Sequence, residues 1–208
     1  PINTLLTSMG EPEGTFEDFV SRTPASEGWF EGGLYHDNEP WGVPGLWFNS
    51  WYDVSIGPNM ALFNHARKNG MDYETRDNQY VVAAPNTHCQ FRTLGADFVV
   101  GERNIGDTSF DETGLIYAWW DKWLKGDEKA FDPETPHVQY FTMGTNKWQG
   151  DDEWPPVAAE EVRMYFKSGG NANSLYGDGT LSFDAPEGQG SDSYNYDPMI
   201  PVKTIGGG

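Results

Sequence analysis

Residues 43–53 read Val43-Pro44-Gly45-Leu46-Trp47-Phe48-Asn49-Ser50-Trp51-Tyr52-Asp53, and the fold is decided there. The run from Val43 to Asn49 is apolar without alternation, and it is too short for a helix. That is the signature of a buried parallel strand with both faces covered. Pro58 to Asn69 then suits a helix, with proline in the first turn, Arg67 and Lys68 in the last, and Gly70 just beyond. Gln79 to Ala84 (QYVVAA) is a second buried-strand candidate, ended by Pro85. Strand, helix, strand is the grammar of an α/β unit.

Outward from this unit the chain changes character. Upstream, residues 1–40 read as irregular and acidic, with one short helical candidate from Thr15 to Ser21. Downstream, Glu112 to Leu124 is the clearest helix: Leu115, Ile116, Trp119, Trp120 and Trp123 form an apolar stripe, and Gly126 stops it. The three tryptophans of that stripe read as core. After about residue 133 the pattern shortens to runs at His137–Met143, Glu161–Lys167 and Gly179–Phe183, separated by Gly, Asn, Asp and Pro clusters. From about 137 onward we expect antiparallel β-structure, with a boundary near Phe131–Pro136. The fold class read this way is α/β, then all-β.

Composition removes several classes of function. Of 208 residues, 13 are Lys or Arg and 32 are Asp or Glu, for a net charge of -19. Such a chain repels phosphate backbones and anionic bilayers, so neither nucleic acid nor a membrane surface is expected as a partner. Mean hydropathy is -0.64, and no apolar run approaches the roughly 18 residues of a membrane span. Aromatics at 15%, including 9 Trp, argue against disorder by supplying bulky groups to bury. The single cysteine, Cys89, excludes an intrachain disulfide and reads as a small buried residue. The chain begins at Pro1 and ends in Gly206-Gly207-Gly208 just after a Pro-Val-Lys-Thr stretch that reads as a strand beginning. We expect a piece of a longer polypeptide.

Two residues stand out by placement. Asp53 follows the first strand and His88 follows the second, and functional side chains of open α/β sheets collect beyond the carboxyl ends of strands. Acid then histidine is the order of the later members of an α/β-hydrolase triad. The chemistry needs both: the histidine takes the nucleophile's proton, and the carboxylate fixes its tautomer and stabilises the imidazolium. The bland alternative makes Asp53 a cap for the helix region and His88 a loop histidine. No Gly-x-Ser-x-Gly occurs in the chain. Ser50 and Ser55 are too close to Asp53 in sequence to reach the far corner of a triad, and Cys89 adjoins His88. A nucleophile partnering Asp53 and His88 is expected upstream of Pro1.

Several segments, in order, carry a resemblance. Val43-Pro44 with Trp51-Tyr52-Asp53, Ala84-Pro85-Asn86-Thr87-His88, and Trp120-Asp121-Lys122-Trp123-Leu124-Lys125-Gly126 come first. Val138-Gln139-Tyr140-Phe141-Thr142-Met143-Gly144 with Trp148 and Trp154-Pro155 follows, then Gly179-Thr180-Leu181-Ser182, and Tyr196-Asp197-Pro198 with Pro201-Val202. Together they resemble the cocaine esterase family, which also includes glutaryl-acylases, α-amino acid ester hydrolases and X-Pro dipeptidyl-peptidases. The resemblance implies the C-terminal part of an α/β-hydrolase core with the end of a cap region over residues 1–132. It implies the start of a jelly-roll β-sandwich over 133–208. By it Asp53 is the triad acid and His88 the base, while the serine and a tyrosine oxyanion donor lie in an N-terminal remainder. Asn49-Ser50 and Asn86-Thr87 depart from the family's pattern at positions that line its pocket.

The function expected is a serine hydrolase of acyl esters, amides or X-Pro peptides, inactive as this piece alone, with no cofactor and no metal. An oligomer is compatible with everything above. The rival is a noncatalytic, aromatic-rich jelly-roll module that binds carbohydrate or peptide. The acidic groups Glu102–Glu112 and Asp151–Glu153 lack the ordered spacing of a Ca²⁺ loop, and His36 and His137 lack partners at metal-ligand spacing.

Overall fold

The computed structural model describes residues 2–11, 14, 16–29, 39–88, 90–188 and 190–201. His36, Cys89 and the strand expected after Pro201 lie outside the described residues.

Two short helices open the chain, α1 (Ile2–Ser8) and α2 (Phe16–Ser21). The first was not legible in a segment read as irregular. On α2, Phe19 and Val20 are exposed, so the helix is present without burying its apolar spacing. Next come β1 (Gly45–Ser50), α3 (Ile56–Asn69), α4 (Tyr73–Asp77) and β2 (Gln79–Ala84). A hairpin, β3 (Phe98–Val100) and β4 (Arg103–Gly106), precedes α5 (Glu112–Lys125). The strands β5 (Val138–Thr142), β6 (Lys147–Asp151), β7 (Tyr165–Lys167) and β8 (Thr180–Ser182) follow, with no further helix among the described residues.

The main sheet has the order β1-β2-β5-β6. β1 and β2 run parallel in an unbroken register from Gly45 opposite Gln79 to Ser50 opposite Ala84. All six residues of β2 are buried. Its alternate side chains explain why: Val81 packs with Met60 and Phe63 of α3, while Tyr80 packs with Trp119 of α5 and Phe131. One helix thus covers each face of this strand, as a continuous apolar run requires. Gln79, the one long polar side chain in β2, is satisfied three ways: it donates to the carbonyls of Val43 and Thr75 and accepts from Trp47 Nε1.

The helix ends follow local chemistry. Asp111 accepts from the Gly114 N–H at the start of α5, and Gly126 closes it in the left-handed region at φ 71°. Gly70 after α3 serves differently. Its φ is -60°, and a Cβ there would meet Arg76 Cγ at 2.8 Å and the Ala66 carbonyl at 3.0 Å, so it permits close approach of chain segments.

Three expectations are corrected. First, residues from 137 onward are not wholly antiparallel. β5 pairs parallel with β2 through Val81–Val138 to Ala83–Tyr140, and antiparallel with β6. A non-local partner sets this direction, and period-2 patterning carries no information about it. Second, among the described residues β1 pairs along one edge, with β2, and only Asn49 and Ser50 of it are buried, although its sequence reads as covered on both faces. Third, the tryptophan stripe divides: Trp119 is buried but Trp120 is 48% exposed. Trp120 sits one residue, about 100°, around α5 from Trp119.

Candidate active site

Parallel register places Asp53 and His88 side by side. Beyond the paired residues Ser50 and Ala84, the ladder continues into the two loops: Trp51 N–H donates to the Ala84 carbonyl at 2.9 Å, and Tyr52 N–H to the Asn86 carbonyl at 3.3 Å. Trp51 Nε1 also donates to the Phe141 carbonyl at 2.7 Å, tying this loop to β5. Zipped this way, the loops leave their sheet ends together, and His88 Nδ1 hydrogen-bonds Asp53 Oδ2.

The Asp53 side chain is 12% exposed and that of His88 is 68% exposed. Asp53 Oδ1 accepts from the Ser55 N–H at 2.9 Å and from the Ser55 hydroxyl at 2.8 Å. The backbone donor of Ser55 foremost, then His88 and the Ser55 hydroxyl, hold the Asp53 carboxyl down at about 2, from an ordinary 3.8, against the opposing effect of burial. Asp53 is therefore a carboxylate at neutral pH and can only accept. In a neutral ring paired with this carboxylate, His88 Nδ1 carries the proton and Nε2 is the acceptor. This is the tautomer of a general base.

The bland and the chemical readings of Asp53 divide between its two oxygens. Oδ1 builds an Asx turn into α3, and Oδ2 meets the histidine. Ser55 lies on the acid side of the pair, so its hydroxyl proton is directed at Asp53 and away from the Nε2 that a nucleophile would face.

Sequence reasoning missed the polar groups behind Asp53. Asn59 Nδ2 donates to Ser55 Oγ at 3.3 Å and to Asn49 Oδ1 at 3.1 Å, and Asn49 Nδ2 approaches Met60 Sδ at 3.3 Å. A signal was present: an Asp followed two residues later by Ser, just ahead of a helix, is an Asx-turn pattern. Of the positions that line the pocket in the family, Asn49, Ser50 and Asn86 are buried at 4%, 3% and 0% exposure, and Thr87 is half-buried. The Asn86 amide has no partner for either polar atom among the described residues. Among these residues no three His, Cys, Asp or Glu come together as a metal site. The acidic side chains instead satisfy nearby backbone: Asp107 accepts from Ser109 N–H, and Asp151 from Asp152 and Glu153 N–H. His137 accepts from Arg67 through Nδ1 and stacks on Tyr80, with ring centroids 4.7 Å apart.

Comparison with known proteins gives the class. Residues 130–203 match the X-Pro dipeptidyl-peptidase C-terminal non-catalytic domain. The chain is 26% identical over 191 residues to cocaine esterase of Rhodococcus sp. (strain MB1 Bresler), a match covering 92% of this chain and 32% of that enzyme. It is 29% identical over 155 residues to a Mycobacterium bovis protein predicted to be a serine esterase, covering 72% of this chain and 23% of that one. Its fold is similar to the crystal structure of an aminopeptidase from the marine sediment archaeon Thaumarchaeota archaeon. The TM-score is 0.58 and the identity 23%, over 82% of this chain and 26% of the aminopeptidase. The relatives are hydrolases, and the chain spans about a third or less of their length. The chain is similar to the cocaine esterase and X-Pro dipeptidyl-peptidase-like hydrolases.

Proposed function

We propose that the chain supplies the acid and the base of a serine hydrolase that cleaves acyl esters or amides, with the nucleophilic serine in another part of the same polypeptide. The observation that carries this reading is the His88–Asp53 pair beyond the carboxyl ends of two adjacent parallel strands, with Nδ1 on the carboxylate. The esterase relatives lend support. On this reading residues 1–132 belong to an α/β-hydrolase domain and 133–208 to a jelly roll that begins by adding β5 to its sheet.

The chemistry follows from the pair. A serine hydroxyl facing Nε2 gives its proton to His88 as the oxygen attacks the acyl carbon. His88 becomes an imidazolium between its new proton and the Asp53 carboxylate, which stabilises the charge without taking the proton. His88 then protonates the leaving alcohol or amine. Water repeats the sequence on the acyl-enzyme, with Nε2 as its base. Asp53 stays ionised throughout, because Ser55 and His88 donate to both of its oxygens.

The experiment is covalent labelling. The full-length polypeptide should react with a fluorophosphonate at a serine outside residues 1–208, and His88→Ala should abolish the labelling. Residues 1–208 alone should be unlabelled and should not hydrolyse a p-nitrophenyl acyl ester above buffer. A labelled serine within 1–208, with turnover lost on its mutation, would overturn the assignment.

A further inference from the structure

We propose that Ser55 is a positioning residue for the acid–base pair, setting the orientation of Asp53 through its hydroxyl. This rests on the triad reading of Asp53 and His88.

The geometry of the carboxylate argues for it. A carboxylate held at one oxygen swings about its own axis, and the His88 side chain that meets Oδ2 is 68% exposed. Ser55 ends the swing. Its N–H and Oγ–H converge on Oδ1 at 2.9 and 2.8 Å, so Oδ2 is presented to His88. Donors to an ionised oxygen are stronger than neutral pairs, and two of them on one atom fix a direction.

The hydroxyl does not cap the helix it precedes. Ser55 stands at the N-cap of α3, where serine oxygen ordinarily accepts from a helix N–H, yet it makes no such cap bond. Its one proton goes to Asp53 instead. Its oxygen accepts from Asn59 Nδ2, whose amide also donates to Asn49 Oδ1 at the buried end of β1. The direction of each proton in this relay is settled, from Asn59 to Ser55 to Asp53. The relay is anchored at one end on α3 and at the other on β1, next to β2. Aligned bonds of this kind polarise one another. Replacing Ser55 by alanine keeps the backbone donor and removes the hydroxyl alone.

The test uses the full-length polypeptide with a p-nitrophenyl acyl ester, and proton NMR of the His88 ring N–H. Ser55→Ala should lower kcat about tenfold with KM within about twofold of wild type, the size expected for one hydrogen bond to a charged group. Ser55→Thr, which keeps the hydroxyl, should restore kcat. The low-field His88 Nδ1–H resonance, assigned by its loss in His88→Ala, should broaden or vanish in Ser55→Ala and return in Ser55→Thr. Wild-type kcat and an unchanged resonance in Ser55→Ala would overturn the positioning role, as would equal losses in Ser55→Ala and Ser55→Thr with a lowered melting temperature. The reading beneath it fails separately: undiminished turnover in both Asp53→Asn and His88→Ala would remove the triad.

Discussion

The sheet around β2 and the segment that holds β7 and β8 both carry apolar side chains, yet among the described residues they bury them very differently. In the first, β2 is wholly buried, α3 lies on one face and α5 on the other. In the second, no described residue after Phe141 is buried. β7 and β8 have three residues each, and their cross-strand pair Phe166–Leu181 is exposed, Phe166 at 89%. Two strands of three residues cannot make a core by themselves. The lesson is that the Asp53–His88 pair stands on the part of the molecule whose packing is complete along β2, while the C-terminal strands hold apolar side chains without a covering layer among the described residues.

The largest effect expected is on chemistry. In the full-length polypeptide His88→Ala should lower kcat by about four orders of magnitude or more, with KM little changed. Asp53→Asn should cost less, since the imidazole stays in place although its tautomer is no longer fixed and its imidazolium no longer stabilised. Equal, mild losses in both would separate the well-packed region from the active site.

Core deletion tests the comparison directly. Phe63 is fully buried, so Phe63→Ala should destabilise the fold by about 3–5 kcal/mol, whereas Phe166→Ala should stay within about 0.5 kcal/mol. The measurement is denaturant unfolding of each variant followed by tryptophan fluorescence. A large loss for Phe166→Ala would show a covering layer over β7 and β8, and would break the contrast.

Acid sharpens it further. The Asp53 carboxyl is held at about 2 in the fold, below its ordinary 3.8, so the folded state resists protonation and the unfolded chain does not. The stabilisation is whole above the ordinary value and is lost as pH falls from about 4 to about 2. Subtracting the melting curves of Asp53→Asn from wild type should isolate that loss, and a difference independent of pH across the window would remove it.

The smallest effect expected concerns His137, just before β5. Burial, and then Arg67 beside it, push its imidazole below the ordinary 6.5, partly opposed by Asp152 and Asp77. The fold therefore favours the neutral ring that accepts from Arg67. Unfolded chains bind a proton there first as pH drops below about 6.5, so stability should decline from that point until the folded value is passed. His137→Phe keeps an aromatic ring on Tyr80 and should flatten this part of the melting-temperature profile. An unchanged slope would place the titration elsewhere.

The sequence by itself determined the local elements of this protein. α3 and α5 were legible because proline, cationic last turns and Gly126 punctuate them. β2 was legible because a short run with apolar residues on both faces, ended by Pro85, fits a strand between two layers. The placement of Asp53 and His88 after two such strands was legible for the same reason, since parallel strands end at a common edge. Tertiary structure alone decided what pairs with what. β5 has the pattern of a hairpin strand, and half of its pairing is one, but its other edge lies parallel on β2, a partner more than fifty residues away that periodicity does not encode. β6, with Lys147, Gln149 and Gly150, carries no apolar alternation, and its register comes from its backbone ladder with β5, its one partner among the described residues. The hydroxyl of Ser55 was free, as far as sequence tells, to cap a helix or to serve an acid. Its direction was fixed only when the end of β1 brought Asn49 against Asn59 and left Asp53 Oδ1 as the acceptor within reach.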